Sequence, residues 1–367
     1  MARTRHPVRH RTIVATSIAI VILTAIPAFA CGGLVAPNGT INLVRTTTLA
    51  AYHRGIEHYI TSFEFAGQGE ELGSIIPLPG VPTKVVKGGD WTLQRLQIEV
   101  APPVLELAAA DGAATLADRA QVLLEVEIDA LDITVLKGGA DAVGTWATEQ
   151  GFFLPPDAPE VLEFYAERSP IFLAARFNAE RAADQSVQVG EGTPIHVVIP
   201  TPRPWVPLRI LGLGRQGSEI VEADVFLLTE AEPSMLPQTT GTIEDDDRGL
   251  LLQASEPASD QLMADLRSDD RMGWLPEQDM WLTAIRVRER ADRLTHDLSI
   301  VPTGVGEPDP IAAGLVRPLS SSFDAGSSPW PVIPFAGLAA AAVVAAVVVA
   351  GAAGVVLARA GRAPRER

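Results

Sequence analysis

The sequence predicts an α+β, β-dominated domain held outside the cytoplasmic membrane, plus one C-terminal transmembrane helix. Three observations carry that expectation. Short runs rich in Val, Ile, Thr, Tyr and Phe recur between turn residues through the middle of the chain, as sheet strands do. An arginine-rich start precedes the uncharged residues 12–30, the layout of a secretory signal. A second uncharged run, residues 335–357, is followed by more arginines.

Residues 1–30 read as the signal peptide. Arg3, Arg5, Arg9 and Arg11 form the basic region, residues 13–26 the apolar one, and Ala28 and Ala30 are small residues placed for cleavage before Cys31. An uncleaved anchor is the alternative, but the run is short of the roughly 20 residues that a spanning helix needs. Lipidation of Cys31 is a second alternative; Ala28 and the bulky Phe29 depart from the Leu and small residue usual before such a cysteine.

Residues 31–301 form the exported domain. Runs 46–52 and 56–66 flank His53-Arg54-Gly55, a hairpin turn in which Gly55 takes a positive φ. Prolines from Pro77 to Pro82 predict an edge or loop after residues 74–76. That phrase returns at Val197-Val198-Ile199-Pro200 and predicts two similar β-rich halves. Residues 121–128 alternate apolar and acidic side chains, the period of a half-buried strand, and 133–136 continue as another. Between them and the next strands lies a helical insert. Asp141 is the expected cap of a helix ending at Gly151, and Asp157 with Glu160 has the spacing of a capping box for a second. Residues 171–177, 195–199, 208–211 and 220–228 read as strands, and 229–273 as an acidic excursion containing a short helix capped by Ser259. Strands resume at 281–287 and 298–301. The Pro, Gly and Ser density of 302–331 suggests a stalk.

At about 1.5 Å per residue, the 23 residues 335–357 make a helix of about 34 Å, enough to cross a bilayer. Arg359, Arg362, Arg365 and Arg367 place the tail, 359–367, in the cytoplasm, with Trp330 at the outer interface. Ala346, Ala350 and Gly354 share a face and permit a helix-mediated dimer.

The chain of 367 residues carries 29 Lys plus Arg against 45 Asp plus Glu, a net charge of -16. Residues 31–330 alone hold 21 against 44, hence -23. Such a surface excludes nucleic acid, which needs a basic face. One cysteine excludes an internal disulfide framework.

Cys31-Gly32-Gly33 after a signal, the early hairpin, Ile75-Ile76-Pro77-Leu78-Pro79, Trp146 through Tyr165 ahead of Phe172-Leu173-Ala174, Pro207-Leu208-Arg209, and Trp281-Leu282-Thr283 before Asp297-Leu298 stand in a telling order. Together they resemble bacterial domain-of-unknown-function family 2330, over roughly residues 31 to 301. The resemblance implies export and a terminal membrane helix, but no reaction, ligand or catalytic residue. Members often have a second cysteine shortly after the first; Val35-Ala36 stands there instead.

No motif names a chemistry. Gly212-Leu213-Gly214-Arg215-Gln216-Gly217 matches GxGxxG, but a strand rather than a helix is expected next, so a glycine-rich hairpin turn is favoured over a dinucleotide site. Asp245, Asp247 and Glu256 fall at positions 1, 3 and 12 of a calcium loop whose obligatory glycine is Leu250, so a solvated acidic loop is favoured. His53 and His58 lack metal-ligand spacing, and His196 and His296 read as structural imidazoles in apolar strands. Trp205, Trp274, Trp281 and Trp330 are candidates for a carbohydrate or peptide groove or for the core. We assign no catalytic residue, metal or cofactor. The expected function is a single-pass envelope protein whose outer domain binds or scaffolds a surface ligand or partner. The alternatives are a hydrolase relying on one of the four histidines, and a calcium-dependent adhesion or sensor module.

Overall fold

The computed structural model describes residues 33–35, 46–62, 73–100, 122–178, 181, 184, 193–242, 248–277 and 279–318. The residues expected to form a signal, with Ala28, Ala30 and Cys31, the residues 243–247, Trp330, residues 335–357 and the basic tail lie outside them. Among the described residues no helix is long and apolar enough to cross a membrane.

A β-dominated α+β fold is found, with three sheets and four helices among those residues. The largest sheet has eight strands. Its middle is β2 (Thr46–His53) beside β3 (Ile56–Ser62), joined by the predicted hairpin; both Arg54 (φ 50) and Gly55 (φ 81) are left-handed, the pattern of a type I′ turn. Beyond β3 come β9 (Pro194–Pro200) and then the edge strand β5 (Lys84–Lys87), both antiparallel. Beyond β2 come β11 (Ile220–Thr229), parallel to it, then β15 (Trp281–Arg290), β14 (Gly249–Pro257) and β13 (Gly241–Thr242). A five-stranded antiparallel sheet runs β1 (Gly33–Val35), β4 (Gly73–Pro77), β8 (Ile171–Phe177), β7 (Leu131–Lys137), β6 (Val122–Ile128). Three short strands, β10 (Trp205–Val206), β16 (Leu298–Val301) and β12 (Ser234–Leu236), make the third.

The period of two along each strand sends alternate residues of the large sheet into different cores. Ala50, Tyr59, Val197, Val225 and Leu227 join Ile75, Val135 and Leu173 of the five-stranded sheet and the helices α2 (Ala140–Glu149) and α3 (Ala158–Ala166). Leu49, Ala51, Ile60, Phe226 and Leu228 face the other way, against Leu93 and Leu96 of α1 (Thr92–Val100) and Leu262, Met263 and Leu266 of α4 (Asp260–Ser268). Burying each such Leu contributes about 2 kcal/mol. A sheet covered on both faces explains why β2 has no polar alternation: seven of its eight residues are buried.

Several sequence expectations are corrected. The strands of the two large sheets interleave along the chain as far as β9, so neither sheet is one successive half of the fold. Gly139, not Asp141, is the N-cap of α2. Asp157 makes no side-chain cap; its carboxylate accepts from the Gly214 N–H at 3.1 Å. Residues 208–211 are not a strand but lead into a 3-10 turn, Arg209–Gly212, because side chains take their backbone donors. The N–H groups of Leu208 and Arg209 donate to Asp297 Oδ1, and that of Ile210 to Tyr165 Oη. No hairpin therefore forms around Gly212 to Gly217, and no helix follows it. The stretch 229–273 is no mere excursion, since β14 pairs along β15 inside the large sheet. Within the expected stalk, residues 302–318 pack on the domain. The Asp297 N–H donates to the Ala313 carbonyl, Arg203 pairs with Asp309 at 2.6 Å, and Ala312 and Ala313 are buried.

Asp297 is the hub of this region. Wholly buried, it accepts from Leu208, Arg209 and Tyr165 and pairs with Arg168 Nη2 at 2.6 Å. The Arg168 guanidinium lies 4.0 Å from the Phe164 ring centroid and 5.1 Å from that of Trp205.

Candidate functional site

On the α1–α4 side of the large sheet, strands β3, β9 and β5 leave a cleft of about 550 Å³. His58, Lys84, Val86, His196, Val198, Arg271 and Trp274 line it. Register explains the first five. His58 lies opposite Val198, and Val198 opposite Lys84, while His196 lies opposite Val86. Residues directly opposite across antiparallel strands share a face, so all five side chains emerge together.

Arg271 and Trp274 arrive on the loop after α4. Asp269, at its start, accepts from the N–H groups of Asp90 and Trp91 and from Thr92 Oγ1, at 3.0, 3.1 and 2.6 Å. A carboxylate there satisfies the backbone donors at the entry to α1 and lies near the positive end of the helix. Gly89 makes room for it, since a Cβ would sit 2.3 Å from Asp269 Oδ2. Met272 and Leu275 are buried in the core below, which leaves Arg271 and Trp274 to the cleft. Arg271 holds a left-handed φ of 72, a conformation that costs of order 1 kcal/mol in a residue with a Cβ.

Two histidines meet at the centre. His58 Nδ1 and His196 Nε2 are 2.9 Å apart, so one ring donates and the other accepts. Trp274 stacks on His58 with centroids 3.7 Å apart and planes 1° from parallel. Burial, then the nearby His53, lowers the His58 pKa to about 4. Burial, then His58 and Lys84, lowers that of His196 to about 3. Both imidazoles are therefore neutral near pH 7.

The arrangement suits binding better than hydrolysis. None of the seven lining residues carries a nucleophilic hydroxyl, thiol or carboxylate, and imidazoles titrating at about 4 and about 3 are weak bases at neutral pH. A metal is also ill served. Two nitrogens on one zinc at about 2.0–2.1 Å each would have to lie over 3 Å apart, and no group of three metal-ligating side chains occurs among the described residues.

Of His53, His58, His196 and His296, the structure joins only His58 and His196. His53 Nδ1 lies 3.0 Å from Glu230, and His296 is in the loop before β16, not in a strand. Trp205 is buried against Tyr165, and Trp281 donates to Ser255 Oγ at 3.0 Å. The calcium loop does not form either: Gly249–Pro257, Glu256 included, is strand. Sequence reasoning missed Lys84, Val86, Val198 and Arg271; the signal for the first three is the period-two face of β5 and β9, unreadable without their pairing.

The profile of the family described as uncharacterized protein conserved in bacteria (DUF2330) matches residues 25–231, more than half of the chain. The chain belongs to the DUF2330 family. Within the DUF2330 match fall His58, Lys84, Val86, His196 and Val198, while Arg271 and Trp274 lie beyond it. No curated protein matches the chain. Among solved structures, a mutated baculovirus P35 after caspase cleavage is similar, with a TM-score of 0.36, 7% identity, and coverage of 71% of this chain and 99% of that one. Baculovirus P35 gives 0.33 and 8% over 72% and 97%, and the caspase-8/P35 complex gives 0.35 and 6% over 71% and 96%. At such scores nothing about this DUF2330 chain follows from the likeness.

Proposed function

We propose that this DUF2330 protein is a single-pass envelope protein whose outer domain binds a small molecule in the β3–β9–β5 cleft. The observation that carries the reading is the joined, neutral His58–His196 pair stacked on Trp274 inside a cleft of about 550 Å³. Concave sites of roughly 300–1,000 Å³ with apolar walls and a few convergent polar groups are where small ligands bind. Val86, Val198 and Trp274 supply the walls; the two imidazoles, Lys84 and Arg271 supply the polar groups.

The topology rests on the uncharged segments 12–30 and 335–357 and the arginines beside them. Protease added to intact spheroplasts should remove the bulk of the chain and spare a fragment containing 335–367; protection of the main domain would reverse the orientation. Binding is tested by screening the full chain in nanodiscs against small-molecule mixtures, reading tryptophan fluorescence and melting temperature. Hits should be lost in Trp274→Ala and in His196→Ala. Hits that survive both substitutions would place the ligand elsewhere.

A further inference from the structure

Resting on that cleft as the ligand site, we infer that its ligand is a small organic anion. The carboxylate or phosphate sits between Lys84 and Arg271, and the apolar part lies against Val86, Val198 and Trp274. The charge pattern of the site is the ground for this. Two of the seven lining residues are basic and none is acidic, in a region whose net charge is -23. A random patch of that surface would be acidic, so a cleft bare of carboxylates is a local reversal of charge. Lys84 is exposed and makes no ion pair among the described residues. Arg271 meets Asp90 at 3.3 Å, but Asp90 also serves Lys87 at 3.3 Å, and both Arg271 and Asp90 are substantially exposed. Asp270, the other acid near Arg271, is 4.0 Å away and 83% exposed.

The neutral histidines fit the same occupant. An imidazole pair sharing one hydrogen bond keeps a second nitrogen on each ring, which is left to hydrogen-bond an occupant whatever its charge. A cation would meet Lys84 and Arg271 with no carboxylate among the lining residues.

Benzoate and benzamide have nearly the same shape and differ in charge, which makes them the deciding pair; phenyl phosphate and benzylammonium complete the set. Each is titrated into the full chain in nanodiscs at 50 mM and 300 mM salt, by calorimetry and tryptophan fluorescence. Benzoate and phenyl phosphate should bind at least about tenfold more tightly than benzamide and benzylammonium, with the margin shrinking at the higher salt. Lys84→Gln and Arg271→Gln should each weaken benzoate by about five- to tenfold, several times more than they weaken benzamide. Arg271→Lys, which keeps the charge, should recover part of the loss. A preference for carboxylate over phosphate, or the reverse, identifies the head group. Benzamide or benzylammonium binding as tightly as benzoate, with Trp274→Ala abolishing it, would overturn the anion inference and leave the cleft as the site. Binding of none of the four would overturn both.

Discussion

Glu57 offers a measurement that isolates one carboxyl group. It is wholly buried in β3, in register between Tyr52 of β2 and Ile199 of β9, and neither carboxyl oxygen has a hydrogen-bond partner among the described residues. The period of β3 places it on the face of Tyr59, toward the core between the two large sheets, with His58 on the opposite face. Burial pushes its pKa well above the ordinary 4.5, because the ionised form would lose its water and gain no donor. Between 4.5 and the native pKa the folded protein therefore holds a proton that the unfolded chain has released. Stability contributed by this group is fully present below 4.5 and is lost as the pH rises, at about 1.4 kcal/mol per pH unit while the native carboxyl stays protonated. Glu57→Gln keeps the shape and removes the titration. Urea unfolding of both proteins at pH 5, 6 and 7, followed by tryptophan fluorescence, should show the variant gaining on the parent as the pH rises, with that slope as the upper limit. Any histidine contribution is common to both and cancels in the difference. A difference that stays constant from pH 5 to 7 would show that the carboxyl does not stay protonated in the fold, and the account of its burial would be wrong.

The other predictions are simpler. Asp297→Ala leaves the Arg168 guanidinium buried with no carboxylate and frees three further donors, so a loss of about 3–5 kcal/mol is expected in thermal or urea unfolding. Gly89→Ala drives a Cβ against Asp269 and should cost about 1–3 kcal/mol and disturb Trp274 fluorescence. Gly273→Ala, with nothing within 4 Å of its Cβ, should change neither reading. His58 and His196 titrate in the fold at about 4 and about 3 against 6.5 when free, so the unfolded chain binds the extra protons between those values. Their stabilisation is present above pH 6.5 and lost as the pH falls, by up to about 1.4 kcal/mol per unit for each, less for the part-exposed His58. Imidazole NMR should show both rings neutral at pH 5.5, and His58→Gln should flatten the acid limb of the stability curve.

How far the sequence could be read divides along a physical line. Elements whose backbone groups are satisfied within the element or by a chain neighbour were legible. The β2–β3 hairpin declares itself through Gly55, β6 through its alternation, and α4 through Ser259, whose Oγ accepts the Leu262 N–H at 3.1 Å. Elements finished by a remote side chain were not. The entry to α1 is held from far away: the N–H groups of Asp90 and Trp91 and the Thr92 hydroxyl go to Asp269, 177 residues away from Thr92. The segment 208–211 has the composition of a strand, yet Asp297 and Tyr165 take its N–H groups and wind it into a turn. The cleft obeys the same rule. His58 and His196 lie 138 residues apart, each in a strand with apolar neighbours, and only the register of β3 on β9 makes them partners. Trp274 then reaches them on the loop that Asp269 holds against α1. The carboxylate that hid α1 from the sequence is thus the one that seats the loop of the candidate site. Fold and cleft were illegible at that point for a single reason, a long-range hydrogen-bond acceptor that no local pattern announces.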